Sequence, residues 1–400
     1  MPAMIPTPRL TLLFITTALA VVLAAAPADA AKRRVPFGFF GTVVSPTMAN
    51  AGVVPDAVLD QQMALMARSG VESVRIVFAW EELEPQPGAY DFTAIDRLVA
   101  TAARHGLASV VNVTATPRWA SIQASSEEYW RFPPSSPQPF AEHMRQLVLR
   151  YGPRGSLWAQ NPSLPVVPVR QWQIWNEQTA PWHWNPQPWA PGYTQLLRAA
   201  YRAIRGADPR AKVVAGSLVA PRADYPPADA IRDLYRAGAK RFFDAVAVHP
   251  FTNDRRSVRR TVDQILAIVR GVRAEMKRRG DGRKPIILTE LMWPASAGMV
   301  PTEAQLGFET TPRGQAARLK ASYRALARAR RELRVTQAYW YNWASEYDNL
   351  TAPSVMTFRY TGLTRVRSGV FSRKPILGTY ANLAARYEGC RKSANARRCR

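Results

Sequence analysis

Two glutamates stand out for what surrounds them. Glu177 follows the run "VRQWQIWN" (169–176) and precedes "QTAPWHW", so a carboxylate lies beside an amide, Asn176, and among tryptophans. Glu290 closes a second apolar run, "KPIILTE" (284–290), with Trp293 just beyond it. Two carboxylates facing one cleft are what cleavage of a glycosidic bond requires. One acid protonates the leaving oxygen, and one carboxylate attacks the anomeric carbon or activates water. Different surroundings can separate their pKa values, so that one keeps a proton while the other is ionised. Glu177, in an aromatic and partly desolvated setting, is expected to be raised and suited to donate. Arg75, in "ESVRIVF", is expected to compensate the charge of Glu290. Asn176 can hydrogen-bond a sugar hydroxyl, and the C–H faces of a sugar stack on aromatic rings.

Such groups need a scaffold that brings distant strand ends together. After residue 34 the chain alternates between two patterns. Short apolar, β-rich runs occupy 35–44, 72–78, 107–113, 169–176, 212–217, 244–250, 284–290 and 335–343. Between them lie apolar stripes at helical period. Leu59, Met63 and Met66 end at Gly70; Ile95, Leu98, Val99 and Ala102 end at Gly106; Tyr193, Leu196, Leu197, Ala200 and Ile204 form a third. Stripes closed by glycine are amphipathic helices against a core. Strands apolar on both faces belong to a parallel sheet covered by helices. The pattern predicts an α/β chain, a single (β/α)8 TIM barrel with enlarged βα loops. A doubly wound open sheet is the alternative, but no glycine-rich phosphate loop follows the first strand.

In such a barrel the active site gathers at the C-terminal strand ends. Strand 2 brings Arg75 and then Trp80, Glu81, Glu82 and Glu84. Strand 3 runs into Asn112 and "TPRWA". Strand 4 ends in Asn176 and Glu177, strand 6 in His249, and strand 7 in Glu290. Strand 8 offers Trp340, Asn342 and Trp343. Glu82 and Glu84 read as loop acids paired with arginine, His105 and His183 as structural or surface residues, and Trp172 as core.

The ends of the chain differ in kind from the middle. Arg9, the apolar run "LTLLFITTALAVVLAAA" and "ADA" at 28–30 describe a secretory signal peptide over residues 1–30. The mature protein is then expected to be secreted, without a stable membrane span. The predicted organisation is one catalytic domain over 35–387, then a basic tail, 388–400. Its Cys390 and Cys399 are expected to pair in an oxidising compartment. Their spacing, with no histidine nearby, does not resemble a zinc site. A net charge of +25 can attract acidic partners. The basic residues, however, are spread over amphipathic patterns such as "RGQAARLKASYRALARARRELR". No nucleic-acid module is recognisable, and nucleic acid is not an expected partner.

Taken together, "WQIWNE", "ILTE", "AVAVHPF", "SVRIVFAWEELEPQPGAYDF" and "TPRWA" resemble the retaining (β/α)8 glycoside hydrolases whose catalytic glutamates end strands 4 and 7. The nearest in flavour are family 39 and the cellulase-like family 5. The resemblance implies a retaining hydrolase of a β-linked oligo- or polysaccharide, without metal or organic cofactor. It implies Glu177 as acid/base, Glu290 as nucleophile and Asn176 as the ligand of a 2-hydroxyl. Arg75 and His249 would lie around the nucleophile and the sugar. Trp293 stands behind the nucleophile, and either Trp340 or Trp343 would be the platform beneath the sugar. Two positions depart from the pattern. Gln178 stands where relatives often have proline. Phe251 stands where many have a tyrosine bonded to the nucleophile, for which Tyr339 or Tyr341 is a candidate substitute. A non-catalytic barrel that binds a cell-surface polysaccharide is the alternative these departures leave open.

Overall fold

The computed structural model describes residues 32–400 except 221, 255, 347–352, 392 and 399–400. The segment 1–30, expected to be a signal peptide, and Cys399 therefore lie outside the described residues; Cys390 is disulfide-bonded.

Eight parallel strands close into a barrel in chain order. They are β1 (Phe40–Val43), β2 (Ser73–Ala79), β3 (Ala108–Thr114), β4 (Gln171–Ile174), β5 (Lys212–Leu218), β6 (Ala245–Val248), β7 (Ile286–Leu291) and β8 (Val335–Trp340). Thr42 of β1 pairs with Trp340 of β8, which shuts the cylinder. Around it run α1 (Asp56–Arg68), α2 (Trp80–Leu83), α3 (Thr93–Arg104), α4 (Pro137–Tyr151), α5 (Ser156–Gln160), α6 (Trp189–Ala207), α7 (Pro227–Arg236), α8 (Val258–Arg278), α9 (Pro312–Leu333) and α10 (Pro375–Glu388). The fold is the (β/α)8 barrel that the alternation predicts.

Local chemistry sets the helix ends. Ser136 accepts a hydrogen bond from Gln138 N ahead of α4, and Thr311 accepts one from Gly314 N ahead of α9. Proline at the first helical position, as in α4, α9 and α10, costs no hydrogen bond there. Gly389, with φ +83°, takes the left-handed step that ends α10.

The period-2 alternation of each strand divides its side chains between two cores. Val74, Ile76 and Phe78 of β2 join the large core under the helices, as do Trp172 and Ile174 of β4. Val43, Val110, Val214, Ala245, Ala247, Ile287 and Tyr339 form a separate cluster inside the barrel. Toward its base, Tyr339 Oη lies 2.6 Å from Ser73 Oγ, and Gln337 Nε2 donates to Gln171 Oε1 at 2.9 Å. The Tyr339 ring fills the interior so tightly that a Cβ on Gly41 would sit 2.5 Å from it.

An addition to the plain barrel comes after β8. A small sheet of β9 (Ala344–Glu346), β10 (Thr364–Arg367) and β11 (Val370–Arg373) leads into α10. The basic tail folds back onto the barrel. Ala396 N donates to His105 O at 2.8 Å, and the His105 ring reaches Ala394 O and Asp60 at 2.8 and 2.9 Å. His105 is thereby a structural clasp.

Candidate active site

Glu177 owes its position to an unusual turn. Trp175 and Glu177 both have left-handed backbones, φ +68° and +46°. That conformation costs a non-glycine residue on the order of 1–3 kcal/mol and needs surrounding bonds to hold it. Here Trp175 N donates to Val113 O (2.8 Å), and Ala180 N to Glu177 O (2.9 Å). The Trp175 ring N–H reaches His183 O at 2.7 Å, and Glu177 N reaches Ser217 Oγ at 3.3 Å. The turn aims the carboxylate back over the barrel mouth, where it is 8% exposed.

Glu290 comes from the far wall, on β7. Its Oε1 accepts from Arg75 Nη1 at 2.8 Å. Arg75 points inward from β2, is 1% exposed and spends its other donors on the same floor. Nη2 donates to Asn176 Oδ1 (2.8 Å), and Nε to Gln173 Oε1 (3.1 Å). Ser217 Oγ adds a second donor to Asn176 Oδ1 at 3.0 Å and accepts from Gln173 Nε2 at 3.0 Å. With its carbonyl oxygen held twice, Asn176 has its NH2 left for the cavity.

His249, just past β6, bridges the two acids. Nδ1 lies 2.7 Å from Glu177 Oε1. Nε2 lies 2.9 Å from Thr289 Oγ1 and 3.7 Å from Glu290 Oε1. On the open side, His183 Nε2 stands 3.4 Å from Glu177 Oε2. Glu177, His249 and Glu290 each offer a ligand atom, all within 4.8 Å of one another. Such a trio can hold a metal ion in principle, but the Arg75 guanidinium already occupies one side of Glu290.

The electrostatics of Glu177 run opposite to the sequence expectation. Burial does push its carboxyl up. The hydrogen bonds and charge of His183 and His249 outweigh that push and hold it well below the usual carboxylate range. The tryptophans suggested desolvation alone; the two histidines supply the counterweight.

Arg75, Asn176, His183 and Glu290 line a cavity of about 360 Å³ together with Val77, Trp130 and Tyr341. A larger groove, about 850 Å³, runs along the flank past Trp182, Trp189 and Tyr225 and touches neither acid, whereas Glu290 lines the smaller one.

The structure brings together Arg75, Asn176, Glu177, His249 and Glu290, five of the residues singled out from sequence. It does not bring the three tryptophans with them. Trp340 and Trp343 are fully buried, and their ring N–H groups are spent on Thr361 O (2.9 Å) and Gln62 Oε1 (3.0 Å). Trp293 is 2% exposed and packs against Trp340 at 6.0 Å. The parity of β8 explains the correction: Tyr339 points into the barrel, so Trp340 points out and Tyr341 points in again. Tyr341 is the aromatic residue of this strand that lines the cavity. Tyr339 lies too deep, bonded to Ser73, and Phe251 packs its ring 5.5 Å from His249.

Sequence reasoning missed His183, Trp130, Gln173, Ser217 and Thr289. His183 looked like a surface residue, yet it faces Glu177. Trp130 is half-buried in the long β3–α4 loop, its ring 6.2 Å from His183. The inward parity of β4 was the available signal for Gln173; alternation from Val214 would turn Ser217 outward, and an irregularity in the β5–β6 pairing between Ala215 and Ser217 turns it in. Glu84, by contrast, is a structural acid. It accepts from the Trp80 ring N–H (2.7 Å) and Gly88 N (2.9 Å), with His143 Nδ1 at 3.1 Å.

Comparison with known proteins agrees with this architecture. The Glyco_hydro_42 family, described as Beta-galactosidase, matches residues 50–127. That stretch holds Arg75 but neither glutamate. The Beta-galactosidase BbgII of Bifidobacterium bifidum is 34% identical over 79 residues, 19% of this chain and 12% of that protein. Among solved structures, a family 39 glycoside hydrolase from Bacteroides cellulosilyticus WH2 has a TM-score of 0.63 at 19% identity, covering 89% of this chain and 64% of the other. A GH5_18 protein from Bifidobacterium longum subsp. infantis has a TM-score of 0.58 at 14% identity, covering 88% and 80%. A GH5_18 variant from Streptomyces cattleya, in complex with Manb1-4GlcNAc, has a TM-score of 0.60 at 16% identity, covering 87% and 80%. The chain thus spans less than two thirds of the family 39 structure and a small part of the galactosidase. Fold and matches together show a (β/α)8 barrel similar to those of glycoside hydrolases of families 39 and 5.

Proposed function

We propose that this chain is a secreted retaining glycoside hydrolase acting on a β-linked oligo- or polysaccharide. The observation that carries the reading is the meeting of two carboxylates from the ends of β4 and β7, with oxygens within 4.8 Å of each other. Retaining enzymes hold their carboxyl groups ~5–5.5 Å apart, whereas inverting ones leave room for a water.

In the first step a Glu290 oxygen attacks the anomeric carbon. The bond to the leaving oxygen breaks, and that oxygen takes a proton from Glu177. In the second step Glu177 removes a proton from water. The water oxygen attacks the anomeric carbon, the ester to Glu290 breaks, and the sugar leaves with net retention. Arg75 holds Glu290 in line for attack, and Asn176 offers its NH2 to a hydroxyl beside the reacting carbon.

The low carboxyl of Glu177 fits this cycle if substrate changes its surroundings. A leaving group entering between His183 and Glu177 displaces the 3.4 Å contact and excludes water. Both changes raise the proton affinity of the carboxyl, and the bond to His249 gives a route for the proton. The same low value in the free protein also favours a second reading, a barrel that binds polysaccharide without cleaving it.

The deciding experiment uses aryl β-glycosides and β-linked oligosaccharides, galactosides and mannosides included. The native protein should cleave at least one of them, releasing the β-anomer first by NMR. Glu290→Ala should abolish turnover, and Glu177→Ala should recover with azide as a β-glycosyl azide. An α-anomeric first product would replace retention by inversion. Binding without cleavage, unaltered in Glu177→Gln, would establish the second reading. Secretion is tested separately, by the N-terminal sequence of protein recovered from culture medium.

A further inference from the structure

The outer wall of the barrel carries a charge pattern that the proposed chemistry does not use. Arg313, Lys320, Arg324, Arg328 and Arg331 recur along α9 at intervals of seven, four, four and three residues. Those intervals keep them on one face of a helix. At 1.5 Å per residue the stripe is ~27 Å long. On its flank, Arg313, Lys320 and Arg324 share a groove of about 510 Å³ with Thr379, Asn382 and Arg386 of α10. At its far end, Arg328, Arg330 and Arg331 share a second groove, about 460 Å³, with Lys32, Arg33 and Arg34. No acidic side chain lines either groove.

Some of these cations are occupied. Arg33 pairs with Glu72, and Arg330 donates to Arg34 O. Arg313, Lys320, Arg324, Arg328, Arg331 and Arg386 meet no carboxylate among the described residues. Gathering like charges along one line opposes folding unless something outside the chain compensates. Burial and the neighbouring Arg331 already pull the Arg330 guanidinium down.

We infer that the α9–α10 face is a binding site for a linear acidic polysaccharide, a polyuronate-like chain, which lies along the stripe. Its length fits a run of several sugar residues, and its polar neighbours, Thr379 and Asn382, suit sugar hydroxyls. Other polyanions fit less well. The two grooves contain no aromatic side chain on which bases would stack. Helix α9 is flanked by α8 and α10 along its length, so it cannot enter a duplex groove. Among the described residues, none of the exposed large apolar side chains lies on α9 or α10, so nothing there would insert into a bilayer. Because α9 precedes β8, its start lies at the face of the barrel that carries the two glutamates. A chain held on the stripe would lead to that rim. The inference stands on charge and geometry and does not depend on the catalytic reading.

The test is binding of the intact protein to oligogalacturonate of about ten residues, over a salt series. Its α-linkages keep turnover by a β-specific site out of the measurement. Binding should weaken steeply with salt, as release of counterions demands. Lys320→Glu/Arg324→Glu/Arg328→Glu should weaken it about 100-fold or more at low salt. Arg202→Glu/Lys212→Glu/Arg241→Glu changes the net charge equally, away from the stripe, and should weaken it less than about 5-fold. Equal losses in the two triple variants would mean only diffuse attraction to a basic protein and would overturn the site. Tighter binding of duplex DNA or of anionic vesicles, lost in the stripe variant, would overturn the polysaccharide as occupant. A circular-dichroism melt of each variant ensures that only folded protein is compared.

Discussion

Removing the guanidinium of Arg75 tests the floor of the site most directly. Arg75→Met deletes three hydrogen bonds, to Glu290, Asn176 and Gln173, at 2.8, 2.8 and 3.1 Å. The Arg75 side chain is 1% exposed and the Glu290 side chain 12%, so neither water nor salt screens the pair well. Taking one partner from a buried pair costs about 3–5 kcal/mol, because the other charge is left uncompensated. With an unfolding entropy near 2.1 cal/mol/K per residue, that loss lowers Tm by about 4–6 °C in a chain of this size. Arg75→Met/Glu290→Gln removes both charges and should recover about half of the loss, a coupling of roughly 2 kcal/mol. Arg75→Lys keeps the charge but not the fork, so Asn176 and Gln173 lose their donors. It should cost less stability than Arg75→Met, yet lower kcat/KM by about 100-fold. Calorimetry on the native protein, Arg75→Met, Glu290→Gln, the double variant and Arg75→Lys, with kinetics of the native protein and Arg75→Lys on an aryl glycoside, reads all of this. Strict additivity, with coupling below about 0.5 kcal/mol, would refute the claim that Arg75 and Glu290 stabilise each other.

Tyr341→Ala should raise KM or lower kcat/KM at least about 10-fold with little change in Tm, whereas Trp340→Ala should cost about 3–5 kcal/mol of stability; the reverse pattern would restore Trp340 as the sugar platform. Lys374 donates to Ser345 Oγ and Tyr360 O from a buried position, and burial, helped by the charge of Arg365, pulls it down to about 7. Between that value and ~10.4 the unfolded chain binds the extra proton, so this residue makes stability rise with pH across that window. Lys374→Met should therefore raise stability at pH 7, by up to about 2 kcal/mol after the lost hydrogen bonds, and with it Tm, and the gain should vanish near pH 10. Burial pushes Glu84 up, but His143, Gly88 and Trp80 hold it below its ordinary value. Its contribution is complete above the unfolded value of ~4.3 and is lost as pH falls through the folded one; Glu84→Gln should flatten the acid limb of a Tm-versus-pH curve, and an unchanged limb would argue against the network.

The barrel itself was legible because its signal is local. Each strand run was short and apolar, and α1, α3 and α6 declared themselves by period, the first two also by a closing glycine. The strand-end acids were legible for the same reason: Asn176, Glu177 and Glu290 interrupt apolar runs where a barrel strand must stop. Strand 8 failed to disclose its inward face because "AYWYNW" is apolar or aromatic at almost every position. Alternation cannot be read where both parities look alike, and only the pairing of Thr42 with Trp340 decides it. His183 and the direction of the Glu177 shift were hidden for another reason. They depend on a loop folding back onto its own strand and on a histidine seventy-two residues away.

The turn after β4 has a consequence for how such a protein can change. Trp175 ties its ring N–H to His183 O, and the backbone bonds of Ala180, His183 and Trp184 close residues 177–184 upon themselves. The acid is thereby mounted on a short clasp whose two ends are joined to each other. The segment from Asn185 to the start of α6 hangs outside that clasp. Insertions there would reshape the flanking groove, which Gln187 and Pro188 line, without tilting the carboxylate. The chain thus separates a part that its own bonds hold fixed from a part free to diversify.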